Sequence, residues 1–158
     1  SYFLPLIILS ALPFGFCGAV IGHVVFGKGL SMISYWGIGA ACGVVINDNL
    51  VLVDYINRVR KSGKHLLEAV IEAGVVRFRP IVITSITTFV GLMPIMLEPS
   101  VQANFLKPAV ISLTCGVVLC APVTLILVPC LMVIGADIKE VLIRIPQAIK
   151  KQFSPNAT

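Results

Sequence analysis

"PAVISLTCGVVLCAPVTLILVPCLMVI", residues 108–134, contains no Asp, Glu, Lys or Arg. A helix needs about 20 apolar residues to cross the hydrocarbon core of a bilayer, and this stretch exceeds that length. Helix is the state it must adopt there, because each backbone N–H and C=O group in lipid has to be hydrogen-bonded within the protein. The stretch therefore predicts a membrane-spanning helix and, with it, an all-α integral membrane protein.

Three more apolar stretches precede this one, and the composition agrees with them. Of the 158 residues, 58% are hydrophobic and 12% are charged, whereas a soluble domain carries about 25% charged residues. We therefore predict a helical bundle over residues 1–135, followed by a basic tail over 136–158. The four predicted spans are about 2–26, 30–53, 80–97 and 108–134.

The basic residues are unevenly distributed between the connections. Six of the twelve Lys and Arg residues fall between positions 57 and 79, four follow the fourth span, and Lys28 and Lys107 occupy the remaining two connections. The positive-inside rule makes the 57–79 loop and the tail cytoplasmic. Apolar residues recur at helical spacing in that loop, which predicts an amphipathic helix lying at the membrane interface.

Small residues predict where helices pack closely. Gly18 and Gly22 in the first span, and Gly39 and Gly43 in the second, are spaced four apart, as in small-x-x-x-small interfaces. We expect both pairs to contact neighbouring helices. His23, near the outer end of the first span, is interpreted as an interfacial residue.

The second span is interrupted by the polar triplet Asn47, Asp48 and Asn49. A charged Asp near the bilayer centre costs about 2.5–3.5 kcal/mol on insertion scales, so such residues face the bundle interior or a wet cavity. One hypothesis is that Asp48 carries a proton, with the asparagines as neutral hydrogen-bond partners. The alternative is that Asp48 only packs, bonded to its helix neighbours.

The third span supplies candidate partners for Asp48. Arg77, Thr84 and Thr88 are spaced seven and four residues apart, which places them on one stripe of a helix. They would form a polar track that begins with Arg77 at the cytoplasmic mouth. The alternative is that Arg77 anchors the helix at the interface and the threonines join neighbouring helices.

Residues 43–98, "GVVINDNLVLVDYINRVRKSGKHLLEAVIEAGVVRFRPIVITSITTFVGLMPIMLE", carry four motifs together. They are G-x-x-x-N-D, E-A-x-x-x-A, R-x-R-P-I-x-x-T and G-x-x-P. In these motifs, and over roughly residues 12–134, the chain resembles the C-terminal membrane region of resistance-nodulation-division (RND) efflux transporters of the hydrophobe/amphiphile exporter type. The resemblance implies that the spans are the ninth to twelfth helices of a longer, two-repeat transporter.

The resemblance also implies a mechanism and partners. Such pumps are homotrimers in the bacterial inner membrane that export drugs in exchange for protons, together with a periplasmic adaptor and an outer-membrane channel. Their proton relay joins an acidic pair on the fourth helix to a Lys, an Arg and a Thr, which correspond to Asn47, Arg77 and Thr84. Because Asn47 replaces the Lys, Asp48 is the candidate titrating group, with Asn49 and Thr88 as supporting polar residues.

Other classes of function have weaker signals. The sequence contains no nucleophile–base pair, no cysteine or histidine cluster with metal-ligand spacing and no phosphate-binding loop, so we predict no enzyme, metal or cofactor. The basic residues follow the membrane topology, so we predict the lipid bilayer, and no nucleic acid, as their partner. The competing interpretation is a stand-alone four-helix membrane module that acts as a channel-like or assembly subunit.

Overall fold

The computed structural model describes residues 3–152, with side chains over 4–141. Four segments of the described residues are long and apolar enough to span a membrane: Leu4–Val25, Met32–Lys61, Leu66–Leu97 and Val101–Val141. This confirms the predicted all-α bundle. The helices of the described residues are α1 (Phe3–Leu9), α2 (Leu12–Val25), α3 (Met32–Lys61), α4 (Leu66–Leu97) and α5 (Val101–Gln152).

The first span consists of two helices because Pro13 lies in the first turn of α2. A proline there has no N–H to donate to the carbonyl four residues earlier, so the helical ladder stops and starts again. At the break between α1 and α2, the Ser10 hydroxyl donates a hydrogen bond to the Ile7 carbonyl at 2.6 Å. The two short helices together still give a segment of spanning length.

Helix α5 lies at the centre of the bundle and packs against α2, α3 and α4. At one end, Leu52 and Ile56 of α3 pack with Ala69 and Ala73 of α4 and with Val128 of α5. All five side chains are fully buried. The core is therefore built where three helices meet, and short alanines let α4 come close.

The space around each glycine shows which helices approach most closely. A Cβ atom on Gly18 would lie 2.9 Å from the Cys115 carbonyl oxygen, and one on Gly22 would lie 2.5 Å from the Cys115 Cβ. The predicted interface on the first span is therefore confirmed. For Gly39 and Gly43 the prediction is wrong within this chain, because nothing in the described structure lies within 4 Å of a Cβ at either position.

The close contact on α3 is made instead by Gly37. A Cβ there would overlap the backbone of Ala109 on α5. Gly37 lies two residues from Gly39, which is about 200° around the helix, so the two glycines face opposite sides. Helix α3 thus packs α5 on one side and leaves the Gly39–Gly43 side open.

The connection predicted over 57–79 is mostly helical. Helix α3 continues to Lys61 and α4 begins at Leu66, so only 62–65 form the turn, with Gly63 at φ 94°. The amphipathic segment is helical as expected, but it is the first part of α4 and no separate helix. Pro80 does not end α4, as is common in membrane helices, where neighbouring groups satisfy the freed carbonyl.

The predicted tail also begins as helix. Helix α5 runs without interruption from Val101 to Gln152, past the predicted end of the fourth span at residue 134. The remainder of the predicted tail, 153–158, lies outside the described residues. The basic end of the bundle is therefore formed by the ends of α3 and α5 and the starts of α1 and α4.

Candidate functional site

The three residues of the polar triplet have different environments near the middle of α3. Asn47 is exposed, Asp48 is half-buried, and Asn49 is 1% exposed. Successive residues of a helix are rotated by about 100°, so Asn47 and Asn49 point to nearly opposite sides. The triplet therefore presents one amide outside the described bundle and one inside it, with the carboxyl between them.

Asn49 is buried without compensation from the described residues. Neither its side-chain oxygen nor its nitrogen has a hydrogen-bond partner there. An unsatisfied buried polar group costs about 1–3 kcal/mol, so such groups are uncommon and call for an explanation. A water molecule or a polar group from another segment would satisfy this amide.

Asp48 makes no hydrogen bond or ion pair with any other described residue. It lies close enough to Cys120 of α5 for the two groups to interact electrostatically. The alternative in which Asp48 serves packing alone predicts hydrogen bonds to helix neighbours, and Asp48 makes none with the described residues.

Helices α3 and α4 are antiparallel, and Arg77 of α4 contacts Tyr55 of α3. The guanidinium carbon of Arg77 lies 5.4 Å from the centre of the Tyr55 ring. Asp48 precedes Tyr55 by seven residues and Thr84 follows Arg77 by seven, which is about two turns in each helix. Asp48 and Thr84 therefore both lie farther from the turn at 62–65 than the residues of this contact.

The predicted partners on α4 make no hydrogen bond or ion pair with Asp48. The Thr84 hydroxyl donates to the Pro80 carbonyl at 3.0 Å. Thr88 is half-buried and makes no side-chain hydrogen bond with the described residues. The structure thus places Asp48 on α3 and Arg77 and Thr84 on the neighbouring helix α4, and among the described residues no hydrogen bond or ion pair joins the three.

The guanidinium of Arg77 stacks on the Tyr55 ring. It forms no salt bridge with a carboxylate of the described residues. The Arg77 side chain is half-buried, and its Nε atom is buried without a partner among the described residues. A guanidinium over an aromatic ring gains about 0.5–2 kcal/mol from the ring quadrupole. The remaining donors of Arg77 can therefore bind another group without breaking a salt bridge.

Tyr55 also connects Arg77 to the turn between α3 and α4. Its hydroxyl donates to Glu72 Oε1 at 3.4 Å, and Lys64 Nζ bonds Glu72 Oε2 at 2.6 Å. The hydrogen bond to Glu72 and its negative charge raise the pKa of Lys64 above its usual value. Sequence reasoning missed Tyr55, although its position seven residues after Asp48 was a usable signal.

His23 is a buried bridge between α2 and α3, so its interpretation as an interfacial residue is wrong. The side chain is 3% exposed. Its Nδ1 lies 2.9 Å from the Ala19 carbonyl oxygen and its Nε2 lies 2.8 Å from Ser34 Oγ. A carbonyl can only accept, so Nδ1 carries a proton, and in the neutral ring Ser34 donates to Nε2.

Ser34 is positioned for this contact by the start of α3. Ser31 and Ser34 form a capping box, in which the Ser31 backbone N–H donates to Ser34 Oγ at 3.0 Å. The Ser34 hydroxyl therefore caps the start of α3 and also orients the imidazole ring of His23 on α2. Within the described part of the chain, no three His, Cys, Asp or Glu side chains cluster closely enough to hold a metal ion.

Comparison with known proteins identifies the chain's relatives. The model of the AcrB/AcrD/AcrF family matches residues 1–136. The chain is 33% identical to Multidrug resistance protein MdtC of Proteus mirabilis (strain HI4320) over 130 residues, which are 82% of the chain. It is 32% identical to Multidrug resistance protein MdtC of Erwinia amylovora (strain ATCC 49946 / CCPPB 0273 / Ea273 / 27-3), again over 130 residues and 82% of the chain.

The family match covers most of the described bundle and ends within α5. The matches to the two MdtC proteins cover 13% of the length of each relative, so the chain spans about an eighth of the proteins it matches. The resemblance to RND transporters that the motifs around Asp48 and Arg77 indicated is confirmed. The four-span bundle is a multi-pass membrane protein of the transporter class, and the chain belongs to the AcrB/AcrD/AcrF family.

Proposed function

We propose that the chain forms part of the membrane domain of a proton-driven RND multidrug efflux pump, and that its polar residues contribute to the proton relay. The observation that carries the proposal is Asp48, a half-buried carboxyl in the middle of a membrane helix without a hydrogen bond or ion pair among the described residues. Ionisable residues at such depth mark ion and proton pathways.

Asn49 supports this role for Asp48. Its side-chain amide is fully buried and has no hydrogen-bond partner among the described residues. Burying such an amide on the residue next to Asp48 costs free energy, and in the proposal Asn49 offsets this cost by serving as a neutral polar group of the relay.

In the proposal, a helix that bears the acidic pair of the relay packs on the open side of α3. Gly39, Gly43 and Asn47 are spaced four apart and are all exposed, with nothing within 4 Å of a Cβ at either glycine. Small residues let a second helix approach closely. We propose that the helix bearing the acidic pair docks on this side, and that Asn47 then meets the acids as a neutral donor.

Arg77 and Thr84 form the part of the relay on α4. Arg77 lies nearer the basic end of the bundle than Thr84 and has unpaired donors. In the proposal, the basic end is cytoplasmic and the pump is a homotrimer in the inner membrane that works with a periplasmic adaptor and an outer-membrane channel. Arg77 then controls the step between Asp48 and the cytoplasm, and Thr84 and Thr88 provide hydroxyls that lead inward from Arg77 along α4.

The test is transport driven by an imposed pH gradient. The full-length transporter is reconstituted in liposomes with a fluorescent drug. We expect the drug to be transported only when protons can flow down the imposed pH gradient in the opposite direction. A protonophore should abolish this transport. Efflux that persists without a gradient would contradict the proposal, and so would proton leak in liposomes that hold residues 1–158 alone, because that result favours the stand-alone module.

A further inference from the structure

We propose that the basic end of the bundle contains a binding site for an anionic phospholipid. A cavity of about 350 Å³ lies where α1, α3, α4 and α5 meet. Its volume falls at the lower end of the roughly 300–1,000 Å³ that small-molecule sites occupy. We call it the basic-end cavity; Ile7, Asn57, Arg60, Met132, Ile138 and Lys139 are among the residues that line it.

The lining of the basic-end cavity has two chemically distinct parts. Ile7 and Met132 also belong to the buried hydrophobic cluster of the bundle, so the floor is continuous with the core. Asn57, Arg60 and Lys139 supply the polar part, and none of the described residues that line this cavity is acidic. A ligand that fits both parts combines an anionic group with an apolar one.

The two cations are not neutralised by carboxylates of the described chain. The salt bridges formed there are Arg58 with Asp54 and Lys64 with Glu72, and neither includes Arg60 or Lys139. Arginine and lysine are suited to phosphate, arginine through a planar fork and lysine as a point charge. The pair therefore provides two positive charges for one phosphate.

A second cavity continues outward from the first. It has a volume of about 760 Å³, and Arg60, Leu66, Ala136 and Lys139 line both. Asp137 lines only this outer cavity. Its carboxylate makes the outer cavity less favourable for an anion, so the inner one is where a phosphate is favoured.

A phospholipid fits this arrangement better than a free phosphate. The cavity lies at the ends of membrane-spanning helices, where headgroups lie, and basic clefts between such helices bind anionic headgroups. A free phosphate would pair with Arg60 and Lys139 but leave the apolar floor uncovered. A phospholipid covers the floor with the start of an acyl chain, and it would join the end of α3 to α5.

The test is lipid binding to the purified full-length transporter. Native mass spectrometry would follow titrations with phosphatidylglycerol and with phosphatidylethanolamine of the same acyl chains. The unsubstituted protein should prefer phosphatidylglycerol. The double variant Arg60→Gln with Lys139→Gln should bind it roughly 30-fold more weakly, because each Lys or Arg beside an anionic headgroup contributes about fivefold.

Arg58→Gln is the matched control. Arg58 lies two residues from Arg60 on α3 but pairs with Asp54 and does not line the cavity. It should leave phosphatidylglycerol binding unchanged, and both variants should unfold at the temperature of the unsubstituted protein when lipid is absent.

Four outcomes would overturn the proposal. They are equal loss of binding in Arg58→Gln, equal affinity for phosphatidylethanolamine, displacement of the lipid by inorganic phosphate at the same concentration, and no retained lipid at all. The third would show that the site takes a free anion, and the last that another segment of the transporter fills the cavity.

Discussion

At the scale of single residues, helix α3 places three adjacent polar side chains in three different environments. Asn47 faces outward, Asn49 faces the core, and Asp48 lies between them without a partner among the described residues. The sequence predicts that such a triplet is costly in lipid and therefore has a purpose. It does not predict which amide is buried, because that depends on which side of α3 packs against α5.

Tyr55 offers a residue-scale prediction because its ring, and not its hydroxyl, contacts Arg77. Tyr55→Leu should lower export by roughly 2- to 30-fold, which corresponds to the loss of a cation–π contact of about 0.5–2 kcal/mol. Tyr55→Phe should stay near the unsubstituted level, since it loses only the long 3.4 Å bond to Glu72. Dye efflux in cells with matched levels of full-length transporter measures both variants.

Equal damage in the two Tyr55 variants would contradict this account, because it would assign the effect to the hydroxyl. Lys64→Gln is a useful control, since Lys64 is exposed in the turn and reaches Arg77 only through Glu72 and Tyr55. It should leave export within about twofold, because an exposed ion pair contributes little.

At the scale of helices, glycines decide which pairs touch. Gly22→Ala should destabilise the protein by about 1–3 kcal/mol, the usual cost of overpacking, because the new Cβ would lie 2.5 Å from Cys115. Gly74→Ala on α4 has open space and should be neutral or stabilising by up to about 1 kcal/mol. Thermal unfolding of the purified full-length transporter compares them, and equal stability of the two variants would contradict the described α2–α5 packing.

The helices themselves could be predicted from sequence, whereas several of their contacts could not. Four uncharged stretches require four spans because lipid leaves the backbone no other choice. Gly22 was predicted correctly from its spacing, but Gly39 has the same spacing and packs nothing within the described chain. The spacing of small residues along one helix does not show whether another helix lies opposite.

His23 and the start of α4 were missed for related reasons. The histidine is buried with its Nε2 hydrogen-bonded to Ser34 of another helix, and no local pattern reports that partner. Helix α4 continues through Pro80, which membrane helices tolerate. The partner of His23 is a tertiary contact, which the periodicity of one segment does not contain.

At the scale of the whole molecule, the orientation in the membrane remains a prediction that can be checked by labelling. In a full-length variant without the five native cysteines, a cysteine at Gly29 or Ser100 should react with a thiol probe confined to the periplasm. A cysteine at Ser62 should not react in intact cells. All three positions are exposed between helices, so burial would not hide them, and labelling at Ser62 would contradict the orientation.

In the proposed transport mechanism, the features of residues and of helices both act on the carboxyl of Asp48. The open side of α3 is suited to dock a second helix, Arg77 and Thr84 lie on the neighbouring helix α4, and Asn49 lies in the core. In the proposed relay, these features surround Asp48 with polar groups. A role in packing alone would leave Asn49 and Asp48 without explanation, because neither side chain has a hydrogen-bond partner among the described residues.

Gradient-driven export by full-length Asp48→Asn in liposomes tests the central claim most directly. The amide keeps the shape of the side chain and its capacity for hydrogen bonds, but it cannot take up and release a proton. We expect export to fall to the level of liposomes without transporter, while Asn47→Ala, with its titrating group intact, retains most of its activity at equal protein content. Full export by Asp48→Asn, with unchanged or higher thermal stability, would contradict the claim that Asp48 carries the proton.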